Sequence, residues 1–194
     1  MRIRGSFGVL AALLLASGCD SGRPPTTESQ ATTPAAAALR SDHHEGADGQ
    51  AGLDGPALAE LRRVTAPFRD VENARRAGYA LFGGCFSDPV LGGMGIHYAN
   101  DALIGDSAVD ARHPELMVYE QLPSGGLRLN AVEYIVFVDE WHAKGHDGPP
   151  RLFGQEFHIN PTLLPKPFYL LHVWAWLDNP SGIFSDWNPR VQCR

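Results

Sequence analysis

The sequence lacks the local signatures of several large enzyme classes. It has no G-x-S-x-G nucleophile elbow, no P-loop, no H-E-x-x-H helix and no dinucleotide-binding glycine pattern. Its three cysteines include no C-x-x-C pair, so the spacing does not indicate a thiolate metal site of the zinc-finger type. Candidate functional residues therefore have to be sought among side chains that lie far apart in the sequence.

Clustered positive charge is also lacking. The chain carries 16 Lys and Arg residues against 22 Asp and Glu residues, which gives a formal net charge of −6. Proteins that bind nucleic acid neutralise phosphates with a concentrated basic surface, and no such cluster is present. Nucleic acid is therefore not an expected partner, and the sequence identifies no protein or small-molecule partner.

Long apolar runs are scarce as well. The apolar stretch at residues 7–16 is too short for a helix that crosses a bilayer core of about 30 Å. It follows Arg2 and Arg4, and a positive start before a short apolar run is typical of an export signal. We therefore expect residues 1–18 to be a signal peptide.

The expected signal ends on ASGC, residues 16–19, which resembles the lipobox of bacterial lipoproteins. This predicts a lipidated Cys19 that anchors the protein to a membrane, facing the periplasm or the cell exterior. Ordinary signal cleavage after Ala16 is the alternative. Lipidation would leave Cys85 and Cys193 as a pair, and in an oxidising compartment we expect one disulfide between them. Two separate thiols are the alternative.

The composition divides the remaining chain into a linker and a folded part. Residues 19–55 are rich in Pro, Thr, Ala, Ser, Gly and charged residues. Such a segment buries too little apolar surface to offset its ordering entropy, so we predict a disordered linker. Residues 56–194 have the length and the apolar content of a single globular domain.

The folded part begins with helical patterns and continues with strands. Apolar residues at helical spacing predict short helices that are interrupted at Pro67 and end at Gly78. Because the later strands follow one another through turns, we expect an α+β fold with a mainly antiparallel sheet, and closure into a barrel is left open. Strands are predicted at residues 94–100, 115–122, 127–139, 156–160 and 168–178.

Four polar side chains interrupt these apolar strands, and they are His97, Glu133, His158 and His172. Burying a polar group costs about 1–3 kcal/mol unless it finds a partner. Neutral imidazoles together with a carboxylate suit a divalent transition metal such as zinc, copper, iron or manganese. We therefore expect these four residues to form a transition-metal site in an exported lipoprotein.

Two other interpretations stay open. In the first, each histidine is hydrogen-bonded on its own in the core of a structural or ligand-binding module, and Glu133 pairs with an arginine. In the second, the protein is a metal-dependent enzyme that uses the same site, and His97 or Glu133 transfers protons there. Strand alternation also places Leu129 on the same face as Glu133, and Trp176 on the same face as His172.

The folded part contains the motifs MGIHYAN, LMVYEQLPSGGLRLNAVEYIVF, PPRLFGQEFHIN, LHVWAWLDNPSGIFSDWNP and a terminal VQC. Together they resemble a family of exported bacterial proteins of unknown function, and the resemblance covers residues 56–194. It implies no particular reaction, cofactor or partner. The motif positions fall on His97, Glu133, His158, His172, Asn188 and Cys193, with Cys85 in GGC.

Overall fold

The computed structural model describes Leu53 and residues 55–193. The expected signal peptide, the lipidation site at Cys19 and nearly all of the expected linker lie outside these residues and stay predictions. No helix in the described part of the chain has the length and apolar character needed to cross a membrane.

Short helices open the described chain, as the sequence predicts. Helix α1 spans Pro56–Thr65, a 3-10 helix with a proline in its first turn spans Ala66–Arg69, and helix α2 spans Val71–Arg76. The Asp70 carboxylate caps α2 by accepting a hydrogen bond from the backbone N–H of Glu72 at 3.0 Å. The proline and the cap together explain why the chain forms separate short helices here.

An antiparallel sheet forms the centre of the fold. Six strands hydrogen-bond in the order β1-β2-β3-β4-β8-β7 and curl into a half-barrel, which confirms the predicted α+β class. The strands of this sheet are β1 Ala80–Asp88, β2 Gly92–Ala99, β3 Leu116–Gln121, β4 Leu127–Phe137, β7 His158–Asn160 and β8 Phe168–Val173. A separate two-stranded ribbon pairs β5 Arg151–Leu152 with β6 Gln155–Glu156.

Several element boundaries differ from the sequence prediction. The strand predicted at 127–139 ends at Phe137 because helix α4, Val138–Ala143, begins directly after it. Strand β1 was not predicted, since two adjacent glycines and an edge position with a register shift leave it no clear alternation of apolar and polar residues. Helix α3, Asp101–Ile104, is a single short turn after β2.

One face of the sheet, called here the helix face, carries the main apolar core. Its residues include Met117, Tyr134 and Leu171 from three neighbouring strands, packed with Leu61 of α1 and Ala74 of α2. These side chains are almost fully buried, so this face supplies most of the hydrophobic stabilisation.

Two side chains lie on the helix face although the sequence placed them on the other. The register between β3 and β4 shifts so that Tyr119 pairs with Leu129, which inserts Asn130 as an extra residue and turns Leu129 toward the helices. Trp176 lies beyond the end of β8, and its indole N–H donates to the Thr65 hydroxyl at 3.0 Å. The predicted faces of Leu129 and Trp176 were therefore wrong.

The opposite face, called here the pocket face, carries two small apolar clusters. One contains Ala99, Leu116, Ile135, Phe168 and Leu170. The other contains Val118, Ala131, Trp174 and Val191. The side chains of His97, Glu133 and His172 belong to this face by their strand register.

The C-terminal segment, residues 174–193, folds back so that its later residues lie against the pocket face. A disulfide joins Cys85 to Cys193 across 108 residues, which confirms the predicted pairing. Gly93 and Asn188 exchange backbone hydrogen bonds of 3.1 and 3.0 Å. A Cβ atom at Gly92, whose φ is 102°, would lie 2.3 Å from the Asn188 carbonyl oxygen. A glycine at this position therefore lets the segment approach the sheet closely.

Candidate functional site

The sheet register brings three of the polar residues together. Glu133 on β4 pairs directly with His172 on β8, so their side chains are cross-strand neighbours on the pocket face. Glu133 also pairs with Leu116 on β3, whereas His97 on β2 pairs with Val118 on β3. His97 therefore reaches the carboxylate diagonally across β3.

Both imidazoles contact the same oxygen of the Glu133 carboxylate. Glu133 Oε1 lies 2.9 Å from His172 Nδ1 and 3.3 Å from His97 Nε2. The side chains are 6% exposed for Glu133, 4% for His97 and 0% for His172. These three side chains, called here the Glu133 network, form a hydrogen-bonded unit that is almost completely screened from solvent.

The two imidazoles decide the ionisation of Glu133. Burial alone would raise its pKa, but the electrostatic effect of His97 and the hydrogen bonds from both imidazoles outweigh burial and hold the pKa well below the usual range. Glu115, directly before β3, is also buried and accepts the backbone N–H of Ile135 at 3.1 Å, yet burial raises its pKa to about 8. Glu133 is therefore a carboxylate kept ionised by its two partners.

Each imidazole of the network has a second nitrogen without a partner. Within the described residues, His97 Nδ1 and His172 Nε2 are buried and lack a hydrogen-bond partner, as does Asp186 Oδ1. A neutral imidazole that donates from one nitrogen presents a lone pair on the other. A ring that donates to Glu133 in its neutral form therefore has an unsatisfied buried acceptor.

His158, the fourth residue of the expected site, does not join the network. It lies on the edge strand β7, its side chain is 48% exposed, and its Nε2 lies 3.2 Å from Asp186 Oδ2. The hydrogen bond to Asp186 raises the pKa of His158 despite partial burial. The structure thus brings three of the four predicted residues together and pairs the fourth with an aspartate that the sequence analysis missed.

The expected metal site stays a prediction. In the part of the chain that the structure describes, no group of three or more His, Cys, Asp or Glu side chains is arranged to hold a metal ion. The nitrogen that each ring turns toward Glu133 makes a hydrogen bond there, so a bound metal ion would have to replace these hydrogen bonds.

A pocket opens beside the Glu133 network. Its volume is about 310 Å³, and its lining is mainly aliphatic and aromatic. The polar residues of the lining are His97, Asp101, Glu133, Asn160 and Asp186, and no Lys or Arg is among the described residues that line it. Apolar walls with a few convergent polar groups are typical of small-molecule sites.

The C-terminal segment supplies part of this pocket. Asp186 and Trp187 line it, and the Trp174 indole N–H donates to the Ser185 carbonyl oxygen at 2.5 Å beneath them. Asn179 donates to the Trp187 carbonyl oxygen at 2.9 Å. No periodic pattern marks residues 184–188 in the sequence, so the contribution of Asp186 becomes visible only when the segment is seen folded onto the sheet.

A larger depression of about 500 Å³ lies elsewhere on the surface, beside Tyr79 and Asn100. Among its described lining residues, none has a buried side-chain atom without a hydrogen-bond partner. Unsatisfied buried polar atoms therefore distinguish the pocket beside the Glu133 network as the candidate functional site.

Comparison with known proteins assigns no family to this chain, since no family model, curated protein or solved structure matches it. The resemblance to exported bacterial proteins stays a prediction. The geometry of the pocket is therefore the basis for a functional assignment.

We expect Glu133→Gln to lower the free energy of unfolding by about 3 kcal/mol at pH 7. The substitution removes the buried negative charge to which the two imidazoles donate. The pKa of Glu133 is lower in the folded protein, so its stabilisation is present above the unfolded-state pKa and is lost as pH falls through the folded-state pKa. The difference between variant and wild type should therefore shrink below about pH 4.5. Urea denaturation at pH 7 and pH 3 measures both effects.

The matched control is Glu156→Gln, which removes an exposed carboxylate paired with Arg151 at 3.0 Å. Exposed ion pairs contribute about 0–1 kcal/mol, so this variant should unfold like the wild type. Equal stability of Glu133→Gln and Glu156→Gln at pH 7 would contradict an ionised Glu133 held by two imidazoles.

Proposed function

We propose that this protein binds a small, mainly apolar molecule in the pocket beside the Glu133 network. The observation that carries the proposal is an apolar cavity whose wall contains a buried, ionised carboxylate and an imidazole with a free nitrogen. Keeping a charge in an apolar layer is costly, so a core with no other task is better served by apolar side chains. The Glu133 network is thus interpreted as a polar anchor for a ligand.

The size of the cavity supports a small-molecule ligand. Ligand pockets usually have volumes of about 300–1,000 Å³, and this one, at about 310 Å³, lies at the small end. Phe82, Phe137 and Phe168 line it together with aliphatic side chains, so an aromatic or branched aliphatic body would fit the walls. Leu163 lies in the lining with an exposed side chain and marks the mouth.

A transition-metal site is the second candidate function. It is favoured by the approach of His97 Nε2 and His172 Nδ1 to one oxygen of Glu133, which collects the nitrogen and oxygen donors that zinc, copper, iron or manganese accept. In the transition-metal proposal the two imidazoles and the Glu133 carboxylate bind the ion, and the pocket admits the molecule that reacts or binds beside the ion.

The neutral fluorescent probe N-phenyl-1-naphthylamine tests the binding function. Its emission should rise on addition of the purified protein. Leu163→Asp should weaken probe binding at least about fivefold, because a charge at the mouth opposes entry of an apolar molecule. The control is Ile159→Asp, a change at another exposed apolar residue, which is not part of the lining and should bind the probe like the wild type.

The same titration separates the two candidates. Elemental analysis of protein purified without chelator or affinity histidines measures any bound metal. Probe binding by metal-free protein supports the apolar-ligand proposal. Stoichiometric metal that is lost in His172→Ala, with no probe binding, supports the metal site instead. Failure of the probe to bind any form of the protein contradicts the binding proposal.

We further propose that the protein is a lipoprotein anchored through Cys19, on the evidence of the sequence 16–19 alone. Replacing Cys19 with Ala removes the only thiol that lipidation would use at this site. The variant should move from the membrane fraction to the soluble fraction after cell lysis, as an immunoblot of both fractions would show. A wild-type protein already found in the soluble fraction would contradict the anchor.

A further inference from the structure

Among the described residues, two fully buried polar atoms of the pocket lining lack a partner, and both are hydrogen-bond acceptors when the His97 ring is neutral. Asp186 Oδ1 is buried and unpartnered, while its second oxygen faces His158 Nε2 at 3.2 Å. His97 Nδ1 is also buried and unpartnered, and it is an acceptor when the ring donates from Nε2 to Glu133. Any polar group that satisfies these atoms has to supply N–H or O–H donors.

The charged residues of the lining have one sign. Asp101, Glu133 and Asp186 are carboxylates, and no Lys or Arg is among the described lining residues. His158 is the neighbouring group with a raised pKa, but it is not part of the lining and already faces Asp186. Charges interact more strongly in a partly dry cavity than in water, so the pocket should repel an anion and attract a cation.

Most of the remaining lining is apolar. Phe86, Met94, Ile104, Leu164 and Leu170 supply apolar contacts around the acceptors. Phe86 also packs edge-on against the His97 ring, with ring centroids 5.0 Å apart, which holds the imidazole in place at the pocket wall. The geometry points to a ligand that is an apolar amine, with a protonated amino group at His97, Glu133 and Asp186 and a hydrocarbon body against the apolar walls.

This inference rests on the proposed binding function and adds the chemistry of the polar end of the ligand. It excludes fatty acids and other carboxylates as preferred ligands, although they would suit the walls equally well. The distinguishing property is the sign of the charge, because the apolar body of an amine and that of a carboxylate can be made the same.

Three compounds with one naphthyl body test the inference by displacement of N-phenyl-1-naphthylamine at pH 7. They are 2-(1-naphthyl)ethylamine, 2-(1-naphthyl)ethanol and 1-naphthylacetate. The amine should bind at least about tenfold more tightly than the carboxylate, and the alcohol should lie between them, because it donates a hydrogen bond without the charge.

Asp186→Asn tests the contribution of the aspartate, since it removes one charge with almost no change in shape. Its affinity for the amine should fall about fivefold, while its affinity for the alcohol should change less than twofold. The control is Asp147→Asn, which neutralises an exposed aspartate outside the lining and should leave both affinities unchanged. If Asp186→Asn does not fold, Asp101→Asn is the second variant, because it neutralises another carboxylate of the lining at an exposed position. It should also lower the affinity for the amine.

The outcomes separate the two proposals. Binding of 1-naphthylacetate as tight as that of the amine overturns the inference and leaves the pocket as a binding site of different selectivity. An amine affinity that is unchanged in both Asp186→Asn and Asp101→Asn also overturns it. Absence of binding by the probe and by all three compounds overturns the binding function itself.

Discussion

The Glu133 carboxylate, ionised and buried between two imidazoles, is the constraint on which the pocket face depends. Without the donors His97 Nε2 and His172 Nδ1, an uncompensated charge would lie inside an apolar layer at a cost of several kcal/mol. The interaction therefore ties β2, β4 and β8 together across the pocket face. It also orients both rings, so that within the described residues the second nitrogen of each ring has no hydrogen-bond partner.

The two faces of the sheet have different roles: the helix face stabilises the fold, and the pocket face carries the candidate site. The helix face is an apolar core in which Met117 and Tyr134 are fully buried. The pocket face has smaller clusters, unsatisfied acceptors and a cover formed by the C-terminal segment. The disulfide between Cys85 and Cys193 pins that cover to β1. Its attachment brings Asp186 to the pocket, so the segment completes the site as well as closing the fold.

Much of the fold followed from sequence patterns, whereas the convergence of the site did not. Alternation predicted the apolar strands, and the count of cysteines predicted the disulfide. Polar residues within apolar strands singled out His97, Glu133 and His172, but their meeting depends on the register between β2, β3, β4 and β8, which no local pattern specifies. His158 shares the pattern yet lies on an edge strand, where its half-exposed side chain pairs with Asp186 instead. Asp186 lies in an irregular segment, and only tertiary packing brings it to the pocket.

The ionisation of the buried Glu133 carboxyl group tests the account most directly, and carbon-13 NMR of its carboxyl carbon, followed from pH 7 to pH 3, measures it. The account predicts an ionised carboxylate at pH 7 that stays ionised in the folded protein below the usual pKa range of a glutamate, because the two imidazoles hold its pKa low. A Glu133 carboxyl group that is protonated at pH 7, or that takes up its proton in the usual range of an exposed glutamate, would contradict the account.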